Sequence, residues 1–150
     1  MKERIKDKIT QIEEYLSDLS ESVPETLEEY KINQEKKAAC ERHFEKIVEA
    51  TTDLAFLIIK KEKLKMPEED KETFDILAKG EIISNELAIK LKDAKGMRNI
   101  LSHQYGNVDD EIVFESITEE LDKDVREFIK LLGKKKRVKR KNESNNNPRF

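Results

Sequence analysis

Six apolar residues near the start of the chain, Ile5, Ile9, Ile12, Leu16, Leu19 and Val23, follow one another in steps of three or four. That spacing puts all six on one side of an α-helix and does not fit the two-residue alternation of a strand. The same spacing returns three more times. It runs through Phe44, Ile47, Val48, Thr51, Leu54, Ala55, Ile58 and Ile59, then through Leu87, Leu91, Ala94 and Leu101. It ends with Phe114, Ile117, Leu121, Val125, Phe128 and Leu132. Only four glycines and three prolines punctuate the 150 residues, too few for a turn-rich β protein. The expectation is a single all-α domain over residues 1–133, an antiparallel bundle of four main helices plus one short helix.

Local signals divide the chain. Ser22 ahead of Pro24 and Glu25 reads as a cap followed by the first turn of a second helix. Nothing interrupts that helix before Pro67, so it is expected to exceed about 50 Å at ~1.5 Å per residue. Pro67 to Asp70 opens the short helix carrying Phe74, Ile76 and Leu77, with Gly80 as its C-terminal cap. The next helix starts near Ser84. Gly106 to Asp110 reads as a loop, with Asp109 or Asp110 capping the last helix and Gly133 ending it. Residues 134–150 hold almost no apolar side chain and are expected to form a basic, disordered tail.

Charge separates body from tail. Residues 134–150 carry eight Lys or Arg against one acid, Glu143. Subtracting these from the chain's 30 basic and 33 acidic residues leaves 22 and 32, a charge of -10 on residues 1–133. Attraction of nucleic acid therefore cannot come from the bulk charge of the body. Lys134, Lys135, Lys136 and Arg137 suit a loose, salt-sensitive contact with RNA phosphates, or simply a solubilising end. Cys40 is alone, which excludes an internal disulfide and suits a reducing cytoplasm. One cysteine and two histidines make no metal set. The longest apolar run, Leu54 to Ile59, is far short of the roughly 20 residues needed to cross a membrane.

The chemistry concentrates between Gly96 and Gly106, where Arg98, Asn99, Ser102, His103 and Tyr105 stand together. An imidazole can serve as general acid or base and a guanidinium can grip a phosphate. Together they suit RNA cleavage in which a 2′-hydroxyl attacks its neighbouring phosphodiester, without metal or cofactor. The same residues also suit a plain hydrogen-bonded cluster at a helix end. Arg98 and His103, five apart, point about 140° from each other on a straight helix. They can share a substrate only if the helix ends near Ser102 or if a second subunit contributes its copy. Asn99 and His103 are one turn apart, so the amide can fix the imidazole tautomer. Gly96 costs a helix about 1 kcal/mol against alanine, and so marks close packing, a break or a functional demand. Tyr105 reads first as a packing residue with a bonded hydroxyl; exposed at a helix exit, it would instead be a phenol able to accept a transferred group. Cys40 reads as a small core residue, Glu41–Arg42 as an ion pair and Asp53 as a polar edge.

Gly96 to Tyr105, followed by Val108–Asp109 and Ile112–Val113–Phe114, resembles the HepT branch of the HEPN superfamily, whose hallmark is Arg, four residues, His, one residue, Tyr. Glu41 to Ala50, Asp53–Leu54, Phe74 to Gly80, Ile82–Ile83 and Leu87 to Leu91 extend the resemblance in the same order. The resemblance implies an all-helical homodimer acting as the toxin of a two-gene toxin–antitoxin pair. It implies a metal-independent ribonuclease with Arg98 and His103 lining a cleft between subunits and Asn99 at the polar position after the arginine. It also implies an antitoxin, a minimal nucleotidyltransferase of the MntA kind, that neutralises the toxin by moving AMP onto Tyr105. Two alternatives stand beside this. One is a non-catalytic helical dimer that only binds the nucleotidyltransferase and is modified by it. The other is nucleic-acid binding through the tail alone.

Overall fold

The computed structural model describes residues 2–103 and 108–146, with side chains as far as Gly133. Among these residues there are seven α-helices and no strand. Four helices are long: α1 (Lys2–Ser22), α3 (Gln34–Lys61), α5 (Asn85–His103) and α7 (Leu121–Asn146). Three are short: α2 (Leu27–Ile32), α4 (Thr73–Lys79) and α6 (Asp110–Glu115). A 3₁₀ turn, Asp70–Glu72, leads into α4, and a π turn, Ser116–Glu120, joins α6 to α7.

The apolar stripes meet as their spacing predicts. Ile12 and Leu16 of α1, Phe44, Ile47, Leu54 and Ile59 of α3, Phe74 and Leu77 of α4, Leu87, Leu91 and Leu101 of α5 and Phe128 of α7 all lie in one buried cluster. Each such side chain contributes about 1.5–3 kcal/mol through removal from water. Helices α1 and α3 run antiparallel, because Lys8 reaches Asp53 (3.6 Å) while Lys46 lies over the Tyr15 ring (4.6 Å). Phe74 meets Phe128 edge-on, 6.3 Å between ring centres, and so ties α4 to α7. Thr51 and Thr52 sit inside the bundle because their hydroxyls donate to the carbonyls of Ile47 (2.7 Å) and Val48 (2.9 Å). Cys40 is fully buried, and desolvation, followed by the charge of Glu41, pushes its thiol pKa up to about 11. No described helix is long and apolar enough to cross a membrane.

Several expected boundaries move. The long second helix is two helices, broken at Asn33. Its side chain accepts from the Lys36 amide (3.0 Å) and caps α3, while its own amide closes α2 on the Glu29 carbonyl. The cap of α2 is Thr26, whose hydroxyl accepts from the Glu29 amide (3.1 Å). Ser22 instead belongs to α1 and donates back to the Asp18 carbonyl (2.9 Å). Gly80 does end α4, but with negative φ, and the left-handed residue is Glu81 (φ 62°). What favours glycine at 80 is space: a Cβ there would stand 2.9 Å from Leu64 Cδ1. Ser84 caps α5 through the Leu87 amide (3.0 Å) and Asp109 caps α6 through the Glu111 amide (3.0 Å).

The expected final helix is interrupted by the π turn. There the Thr118 hydroxyl donates to the Phe114 carbonyl (2.8 Å), a side-chain bond that competes with the regular backbone ladder. Gly133 does not end α7. The backbone stays helical to Asn146, so the tail expected to be disordered from residue 134 is helical through most of its length. Arg42 pairs with Glu45 (3.6 Å), one turn on, and its neighbour Glu41 is buried.

Candidate functional site

Helix α5 carries two stripes, each in steps of three and four. Leu87, Leu91, Ala94, Arg98 and Leu101 form the inner one. Leu87, Leu91 and Leu101 are buried and Ala94 is packed against the core, so Arg98 is a cation at a core-facing position. Ile89, Asp93, Gly96, Ile100 and His103 form the outer stripe, and all five are exposed. Ile89 and Ile100 show 59% and 57% of their surface to solvent, unusual for large aliphatic side chains in mid-helix. A Cβ built on Gly96 would meet nothing within 4 Å, so no packing inside the subunit calls for glycine there.

The helix continues through His103. Arg98 and His103 therefore sit on one unbroken rod, on the inner and outer stripe respectively, roughly 140° apart. The first of the two ways in which they could share a substrate, a helix ending before His103, is not the one taken. Asn99 is exposed on the same helix, between the two. Tyr105 lies outside the described residues, as do the side chains of Lys134, Lys135, Lys136 and Arg137, whose backbone belongs to α7.

Arg98 is mostly covered, with 31% of its side chain exposed. Its Nη2 donates to Glu49 Oε2 of α3 across 3.4 Å. Its Nε is buried and meets no acceptor. A buried donor left unsatisfied costs about 1–3 kcal/mol, so this guanidinium is held in a geometry that folding alone does not favour. Glu49 is the residue that inspection of the sequence missed. A signal was present: Glu45, Glu49 and Asp53 recur every fourth residue along one flank of α3. Each meets a cation, Glu45 with Arg42 (3.6 Å), Glu49 with Arg98 and Asp53 with Lys8 (3.6 Å). Among the described residues no group of three or more His, Cys, Asp or Glu is placed to hold a metal ion. The arrangement offers a guanidinium, a group able to grip a phosphate, and on the other stripe of the same helix an imidazole, a group able to transfer a proton.

Known proteins share both the sequence and the shape. The mRNA nuclease HepT of Shewanella oneidensis is 29% identical over 90 residues, 60% of this chain and 67% of that one. The tRNA nuclease HepT of Aphanizomenon flos-aquae is 30% identical over 114 residues, 76% of this chain and 78% of that one. Among solved structures, a tri-AMPylated HEPN toxin of Shewanella oneidensis in complex with its MNT antitoxin superposes with a TM-score of 0.79 at 24% identity. The match covers 86% of this chain and 96% of that one. The model of the Ribonuclease HepT-like family matches residues 6–132, which include most of the bundle and both arms of the Arg98–Glu49 contact. The chain belongs to the HepT-like ribonuclease family.

Proposed function

We propose that this protein is the toxin of a HepT/MntA-type toxin–antitoxin pair, a metal-independent endoribonuclease whose site is completed by a second copy of the chain. The observation that carries this reading is the unbroken α5 helix, which turns Arg98 and His103 away from each other while leaving an aliphatic stripe beside His103 uncovered. Two copies joined along Ile89, Gly96 and Ile100 remove that apolar surface from water. The missing Cβ of Gly96 lets the two backbones approach. The pairing also brings the two His103 imidazoles together across the two-fold axis and leaves the partly exposed Arg98 of each copy at the edge of that seam.

In this site Arg98 binds the scissile phosphate and stabilises the charge that builds on it. His103 takes the proton of the 2′-hydroxyl as that oxygen attacks phosphorus. The bond to the 5′-oxygen breaks, and an imidazolium returns a proton to the leaving oxygen. Asn99 holds a polar position beside the reacting groups. Residues 1–133 form the catalytic body, and the cationic segment from 134 draws RNA toward an otherwise acidic molecule. The antitoxin, a nucleotidyltransferase, silences the site by transferring AMP to Tyr105, which sets a phosphate charge where RNA phosphate binds.

The test is cleavage of RNA by the purified chain in EDTA. Wild type should cut and sediment as a dimer, and His103→Ala should abolish cutting while remaining dimeric. Persistent cleavage by His103→Ala, or a monomer with full activity, sinks the proposal. Mixing with the nucleotidyltransferase and ATP should add adenylate to Tyr105, read by mass spectrometry.

A further inference from the structure

The contact between Arg98 and Glu49 is half of a two-point pair. Nε and Nη2 share the side edge of a guanidinium, the edge that a carboxylate can grip with both oxygens. Here only Nη2 reaches Glu49 Oε2, at 3.4 Å, while Nε is buried without an acceptor. The carboxylate meets one corner of that edge, and the other corner has no acceptor. The Glu49 side chain is 58% exposed, so most of its surroundings are solvent. Its neighbours on the same flank of α3 are already taken, Glu45 by Arg42 and Asp53 by Lys8.

A carboxylate next to a phosphate-binding arginine opposes RNA binding through its charge, so its place there needs a compensating role. Geometry supplies one. A guanidinium gripped along its side edge cannot swivel, and its remaining Nη1 end is left free to donate in a fixed direction. We infer that Glu49 is a positioning residue for Arg98: its carboxylate closes onto Nε and Nη2 when two subunits cover the site, aiming the Nη1 end at the scissile phosphate. This rests on the ribonuclease reading above. Glu49 itself touches no substrate and acts through Arg98.

The experiment compares Glu49→Ala and Glu49→Gln with wild type in the full-length chain, by steady-state cleavage of an RNA oligonucleotide. Glu49→Ala should lower kcat by about tenfold or more with KM little changed, as expected when a transition-state contact loses its alignment. Glu49→Gln, which keeps one acceptor oxygen, should recover part of the loss. In an Arg98→Lys background, which has no side edge to grip, Glu49→Ala should have no further effect. A merely structural role would give the same loss in both backgrounds and overturn the inference. So would variants that match wild type, or that bind RNA more tightly and cut at least as fast. A second readout does not depend on turnover. The Arg98 Nε–H should exchange slowly with solvent in the wild-type dimer and quickly in Glu49→Ala, by NMR. Should wild type leave RNA intact, the ribonuclease reading falls and this exchange measurement alone decides the pairing: protection lost in Glu49→Ala upholds it, and equal exchange in both overturns it.

Discussion

Arg98 occupies a position in α5 where the helix otherwise places leucine and alanine, and that placement has measurable consequences. Arg98→Lys keeps the charge but loses the planar fork, so cleavage should fall by about 10²–10³ in kcat with little change in thermal stability. Steady-state kinetics beside a melting curve tests both halves. Cys40 gives an independent check of the core. Its pKa is raised from 9.0 to about 11 by burial, so the folded state keeps the proton that the unfolded chain loses first. The stability this provides is complete below pH 9 and is lost as pH rises toward 11, because the unfolded state then binds fewer protons. Urea midpoints should decline over that range, and Cys40→Ser should flatten the decline. A thiol reagent at pH 8 should label Cys40 only as the protein unfolds. At this scale the sequence was legible wherever a residue type announced its chemistry. Arg98 and His103 stood out by type. Glu49 did not, because one carboxylate among 33 acidic residues is distinguished only by what α5 brings beside it.

At the level of the helix, Gly96 makes the sharpest prediction. It lies inside α5 with open space around it, so Gly96→Ala should raise the stability of the isolated subunit by about 1 kcal/mol, or about 3 °C in Tm. In the paired protein proposed above, the added methyl group would meet the other backbone. The same substitution should therefore weaken dimerisation and cleavage while it strengthens the fold. Sedimentation measured beside melting curves separates the two effects; a variant that is both more stable and equally dimeric removes Gly96 from the interface. The element boundaries show why periodicity alone reaches only so far. The stripes set which residues face the core, and most of them are buried in the structure, with Ile5, Ile9, Val23, Ala94, Phe114 and Leu132 partly so. They do not register the single non-helical residue Asn33, because its side chain replaces the hydrogen bond that the backbone gives up. They also pass over the π turn, since one hydroxyl bond from Thr118 alters the ladder without moving Ile117 or Leu121 out of the core. Gly133 carried a stop signal that α7 ignores. A Cβ there would meet nothing, and the helix runs on to Asn146.

Taken as a whole, the molecule sets an acidic bundle against a cationic extension of one helix. Removing residues 134–150 takes away eight basic residues and one acid, leaving a body of charge -10. RNA affinity of the His103→Ala chain should then drop, and the log–log slope against salt should become shallower. The seven basic residues of 134–141 account for a slope of up to about -5 at roughly -0.7 per phosphate contact on a single strand. An unchanged slope by fluorescence titration would show that the extension plays no part in capture. The all-α architecture and the residues of the motif were readable from the chain alone. How they cooperate was not, because that depends on α5 running straight through His103. A rod of this kind has a consequence for the cell that makes it. On the pairing proposed above, with imidazole and guanidinium on different sides of the helix, a newly made copy would be harmless until it finds another. Damage then grows with the square of the dose, so a small leak in expression is forgiven and a modest surge is not.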